Sequence, residues 1–357
     1  LSDVTSISLI SKCGPDPGFV FSSSPGRIKW RTVITGLLIQ FVFGLLFIRW
    51  DSGRLALQCF SDKVATFLSY GIDGANFTFG HLLVREEQVF AFSVSSYFFC
   101  LIFSFILTLN HLQYVSQILL ILLLCTILAA YIGFGASPAH LVTASVMSAP
   151  AAICYCKLLM PETKRSLTAV DNIQPVTSSD QSVLAAATRG ATNGIALVLN
   201  IIANLVAFIS FIAFINGVLG YCGSLLGYEG FNLEWMFGKF FIPLCWVMGV
   251  PWEECENVGA LIGLKTVVNE FVAYQRMGEM KDQGLLSPRS ELIATYSLCG
   301  FTNPASAAIM IGAISAMAPD QREPLSSLAV RAFFAGCGIC FMTACIAGLL
   351  MPEGSFG

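Results

Sequence analysis

Between Glu87 and Lys157 the chain contains no Asp, Glu, Lys or Arg. The same is true between Arg189 and Glu229, between Glu291 and Asp320, and between Arg331 and Glu353. A bilayer crossing takes about 20 apolar residues. Each block is therefore long enough to cross once, and the first is long enough to cross three times. A soluble fold built from such blocks would hold large apolar patches against water. Only 11% of the 357 residues are charged and 55% are hydrophobic, against roughly 25% charged in ordinary soluble domains. The expectation is an all-α integral membrane protein with several crossings.

Other features narrow the function by exclusion. The net charge is −3, and no basic stripe offers a surface to nucleic acid. The opening residues LSDVTSISLISKCGPDPGF read as neither a signal peptide nor a transit peptide. His81, His111 and His140 are isolated, and the thirteen cysteines are scattered through apolar segments. Cys154/Cys156 and Cys337/Cys340 are close pairs, but small apolar packing residues are the expected role, and no metal site is expected. Asn76-Phe-Thr is a glycosylation sequon whose use is not expected. No spaced nucleophile–base pair stands out, so an enzyme is not expected. Lys and Arg flank the first apolar run on both sides, at 27–31 and 49–63, so the positive-inside rule does not orient the chain.

Along the chain, residues 1–30 form a polar lead and 31–158 a first half. The run Val33–Ile48 is the first span. Leu57, Phe60, Val64, Phe67 and Leu68 then recur at helical spacing with Arg54, Gln58, Asp62 and Lys63 between them. That pattern predicts an amphipathic helix, about 54–70, lying in the membrane interface. Spans follow at 88–110, 115–135 and 139–158, the last rich in the small residues that suit close helix packing in lipid. Residues 159–180 form a polar loop. The second half, 181–351, opens with another short amphipathic segment at 181–193 and a long span at 194–220.

Beyond residue 232 simple crossings fail. Pro243, Gly249, Pro251, Glu253, Glu254, Glu256, Lys265 and Glu270 interrupt the apolar pattern. Two half-length apolar pieces meeting near Asn269-Glu270 predict a re-entrant hairpin over about 250–282. Irregular backbone at that depth survives only where protein or a water-filled cavity covers it. A carboxylate there costs at least about 2.5–3.5 kcal/mol, so Glu270 reads as a pathway or partner residue, or as the partner of Lys265. SLCGFTNPAS (297–306) then interrupts an apolar helix expected over 290–318. Pro304 removes a donor and clashes one turn back, and Gly300 weakens the same turn. The helix is expected to open over about 299–305, leaving free N–H and C=O groups beside the Asn303 amide and the Ser306 hydroxyl. A broken helix facing a hairpin tip is a ligand site. Its neutral-to-anionic hydrogen-bonders suit a hydroxyl-rich neutral solute. A regular final span is expected at 326–350.

GALIGLKTVVNEFVAYQ (259–275), SELIATYSLCGFTN (290–303), HLVTASVMSAP (140–150) and FMTACIAGLL (341–350) resemble the concentrative nucleoside transporter family, over nearly everything from Arg27 to Met351. The resemblance implies an inverted-repeat transporter, each repeat with an interfacial helix, a re-entrant hairpin and a broken helix. It implies nucleosides as substrate, a sodium ion or proton as coupling ion, no bound cofactor, a homotrimer and a multi-pass place in the plasma membrane. It implies that Glu270, Asn303 and Ser306 hydrogen-bond ribose hydroxyls, with Phe301 near the pocket and Ile127 on the base-contacting wall.

One departure bears on activity. Relatives carry a first-repeat hairpin with a tip similar to GQTES, then a broken helix reading roughly GFSTIAGS. This chain has neither, and Leu122, Leu123 and Leu124 stand where polar sodium ligands are expected. On the order of fifty residues are absent near 115–128, about what a hairpin of two half-spans requires. Two expectations follow: a sodium-coupled nucleoside importer by family, inactive in this form; or a non-transporting subunit that joins full-length transporters and dampens them.

Overall fold

The structure is a computed structural model describing residues 22–79, 131–161, 182–228, 230–300, 302–304, 306–307 and 322–351. All regular elements among them are helical. The chain divides into two compact units, one of Leu1–Leu57, Phe134–Arg165 and Ser210–Gly357, the other of Gln58–Gly133 and Ser166–Ile209. The expected spans at 88–110 and 115–135 lie outside the described residues, apart from the end of the second.

Among the described residues, the first unit holds three stretches long and apolar enough to cross a membrane: Trp30–Arg49, Pro138–Leu159 and Ser326–Leu350, of 20, 22 and 25 residues. The first is α1 (Trp30–Gly44) continued by a wider helical turn, Leu45–Arg49. Later in the chain come α3 (Pro138–Leu159) and α9 (Arg322–Leu350). Along α3, Leu141, Ala144, Met147, Ala151, Cys154 and Leu158 are buried. Their three- and four-residue spacing is one helix face, packed on α1, with α9 beside it. Two side-chain hydrogen bonds join these helices. The Cys154 thiol donates to Val33 O at 3.2 Å. Gln40 Nε2 donates to Thr343 Oγ1 at 3.0 Å, both residues fully buried.

Between the crossings, α2 (Asp51–Phe79) and α4 (Val183–Leu225) begin or end in the first unit and otherwise form the described part of the second. Both exceed the sequence expectation. The segment expected as a short amphipathic piece followed by a span is one uninterrupted helix of 43 residues, about 65 Å long. Gly190 and Gly194 fall inside it. A glycine costs a helix only about 1 kcal/mol, too little to stop one of this length.

The remaining elements build the site. α5 (Leu233–Met248) starts at Asn232, whose side chain accepts from Trp235 N, and ends at Gly249 with φ 93°. It packs along α6 (Cys255–Val267), which turns back at Val268-Asn269 into α7 (Glu270–Asp282). α6 and α7 have 13 residues each, about 20 Å, short of the ~30 Å hydrocarbon core. α8 (Pro288–Leu298) follows and packs on α9, α6, α7 and α3. The three glutamates at the start of the hairpin divide their roles. Glu254 accepts from Ser287 N and Oγ, both at 2.9 Å, placing a carboxylate at the α8 N-terminus. Glu256 pairs with Lys239 at 2.5 Å, and Glu253 is exposed.

Candidate functional site

The hairpin tip is built by an asparagine. Val268 leaves the helical region, Asn269 is extended, and its side chain accepts from Val272 N at 3.0 Å. That cap starts α7 one residue later, so Glu270 is its first residue. Its side chain points inward and is 2% exposed.

Opposite the tip, α8 stops at Leu298. Gly300 has φ 155° and a Cβ there would meet Cys340 Sγ at 2.7 Å, so glycine is required on two grounds. Helix resumes at Pro304. Asn303 is its cap: Oδ1 accepts from Ser306 N at 2.8 Å, and Ala307 N donates to Asn303 O at 3.1 Å. Proline here is a starter. At the first helical position its missing N–H is one the helix would not have used. Pro304 is therefore not the breaker expected from sequence; the break lies before it, at Cys299 and Gly300.

With Oδ1 committed to the cap, the Asn303 amide turns its nitrogen to the hairpin. Nδ2 donates to Glu270 Oε2 at 2.5 Å, and Asn303 is fully buried. Glu270 and Asn303 are thus in direct contact, and Ser306 is joined to Asn303 through its backbone N–H. Phe301 and Ile127, the other two expected site residues, lie outside the described residues.

Much of the backbone freed by the break is not left open, which corrects the sequence expectation. Ser297 O accepts from Lys265 Nζ at 2.7 Å. One residue before the freed carbonyls, Thr295 O keeps its helical bond from Cys299 N and also accepts from Tyr274 OH at 2.8 Å. Cys299 O accepts from Cys340 Sγ at 3.4 Å, and Gly300 O from Thr302 N at 2.9 Å. The hairpin and α9 supply most of these donors. Lys265 and Glu270 hold different sides of the break. Tyr274 and Cys340 were not foreseen as site groups. Tyr274 carried a usable signal, since NEFVAY puts it one helical turn after Glu270, on the same face.

The outer end of the hairpin is pinned separately. Lys281 Nζ lies 2.7 Å from Glu291 Oε1 and 3.4 Å from Gly135 O. A Cβ on Gly278 would meet Phe134 O at 2.1 Å, so α7 and the turn before α3 touch backbone to backbone.

A half-span hairpin set against an interrupted helix, beside apolar helices of spanning length, defines a membrane transporter architecture. Comparison with known proteins agrees. The chain is similar to CNTnw in an inward-facing substrate-bound state, with TM-score 0.85 and 27% identity over 98% of this chain and 97% of that one. A CNTnw variant in an outward-facing state gives 0.82 and 28%, over 98% and 97%. Residues 140–348 match the family described as Na+ dependent nucleoside transporter C-terminus, and 18–82 its N-terminus. The chain belongs to this Na+ dependent nucleoside transporter family, a family of transporters and not of enzymes. Among curated relatives, human solute carrier family 28 member 3 is 35% identical over 93% of this chain and 58% of its own length. The sodium/nucleoside cotransporter 1 of Oryctolagus cuniculus is 33% identical over 94% and 61%. The chain thus spans about three fifths of the length of these relatives.

Proposed function

We propose that this chain recognises nucleosides within the membrane through the ribose, and that it descends from sodium-coupled importers of the plasma membrane. The observation behind this reading is the buried Glu270–Asn303 pair joining a hairpin tip to a helix break. A carboxylate accepts several hydrogen bonds and an amide nitrogen donates two. Vicinal ribose hydroxyls can donate to the first and accept from the second, with Ser306 alongside. Relatives named as sodium/nucleoside cotransporters support the substrate class and the coupling ion. Homotrimeric assembly, residence in the plasma membrane and contributions from Phe301 and Ile127 belong to the same proposal.

Full transport needs more than this half-site. Each ribose hydrogen bond nets about 0.5–1.5 kcal/mol, so three of them give an affinity in the millimolar range or weaker. The second reading is a non-transporting subunit that dampens complete transporters. One observation favours it: the alignment with the human relative runs over 400 residues, whereas the chain has 357. Part of the relative therefore has no counterpart here. Uridine uptake in oocytes, in sodium and in choline, separates the two. Sodium-dependent uptake by this chain alone supports the importer. Silence alone, with reduced uptake when co-expressed with a full-length relative, supports the subunit. No uptake and no effect on the relative contradicts both.

A further inference from the structure

Among the described residues, Lys265 and Glu270 are the only charged side chains that are fully buried, at 1% and 2% exposure. Lys265 lies in the last turn of α6 and Glu270 opens α7, so the hairpin tip carries one charge of each sign. The ammonium meets the end of α8 at Ser297 O, where a helix dipole is negative. The carboxylate meets Asn303 and itself opens α7, where a helix dipole is positive. Each charge stands at the helix end that favours it. The lysine reaches into the break itself, its Nζ 4.0 Å from where a Cβ on Gly300 would sit.

We propose that Lys265 is a positioning residue: with Glu270 it forms a charge splint that holds the two halves of the broken helix and sets Asn303 in place. Lys265 fixes the end before the break and Glu270 the start after it. The splint carries its own counter-charge, because a buried carboxylate without an opposite charge nearby is costly. The inference does not depend on which ligand the site takes.

The test is a double-substitution cycle on the full chain in nanodiscs, with Lys265→Met, Glu270→Gln and both together. Deuterium uptake is read over 299–303 and over α3, beside thermal unfolding. Lys265→Met is expected to speed exchange at 299–303 on the order of tenfold, through loss of a charged hydrogen bond, with exchange in α3 unchanged. Adding Glu270→Gln is expected to recover part of the thermal loss, because neutralising the second charge removes the imbalance. A lysine valued only for its packed stem would give no such rescue. Additive losses, or unchanged exchange at 299–303, would overturn the proposal. Should Lys265→Met not accumulate, Lys265→Gln is read by the same criterion: rescue by Glu270→Gln supports the splint and additivity overturns it.

Discussion

Lys265 and Glu270 grip opposite sides of one helix break. Lys265 Nζ donates to Ser297 O at 2.7 Å, and Glu270 Oε2 accepts from Asn303 Nδ2 at 2.5 Å. Protein groups here meet part of the cost of irregular backbone.

Gly300→Ala tests how tightly the break is built. A methyl group would meet Cys340 Sγ at 2.7 Å, on a backbone with φ 155°. Strain of that kind costs about 1–3 kcal/mol, and thermal unfolding in detergent should fall accordingly. Adding Cys340→Ala removes the clash but not the strained dihedral, so the double variant should recover only part of the loss. Full recovery would mean that the backbone geometry at 300 is not strained.

Tyr274→Phe should cost about 1 kcal/mol, the net worth of one buried hydrogen bond. The loss is moderate because Thr295 O also accepts from Cys299 N at 3.0 Å and is not orphaned. Chemical denaturation of the two proteins side by side gives the difference. A loss several times larger would assign the hydroxyl a wider role than holding Thr295.

The Lys281–Glu291 pair at the outer end of the hairpin has side chains 41% and 17% exposed. Lys281→Met should therefore destabilise by no more than about 1 kcal/mol. The effect should shrink between low and high salt, as screening weakens exposed pairs. A salt-independent loss would point instead to the Gly135 contact.

The membrane class was legible from the charge-free blocks alone, because their length leaves no soluble alternative. Hairpin and break were legible too, since Glu270, Gly300 and Pro304 each violate the rules of an uninterrupted crossing. The partners of the break were not. Cys340 reaches Cys299 O from far along the chain, and nothing local to either residue announces it. Lys265 was visible as a charge in an apolar run, but a sequence does not say which carbonyl an ammonium will meet. An asparagine in an apolar helix suggests a ligand group, whereas half of the Asn303 amide is spent as a cap. The α4 boundary was missed because two glycines and one arginine weaken a helix without ending it.

The most direct measurement is saturation-transfer NMR on the chain in nanodiscs with uridine and 2′,3′-dideoxyuridine, repeated for Glu270→Gln and Asn303→Ala. Uridine should give a signal that the dideoxy compound loses, and either substitution should abolish the difference. Equal signals from both ligands, or a preference for uridine that survives Glu270→Gln, would contradict recognition of the ribose by this pair.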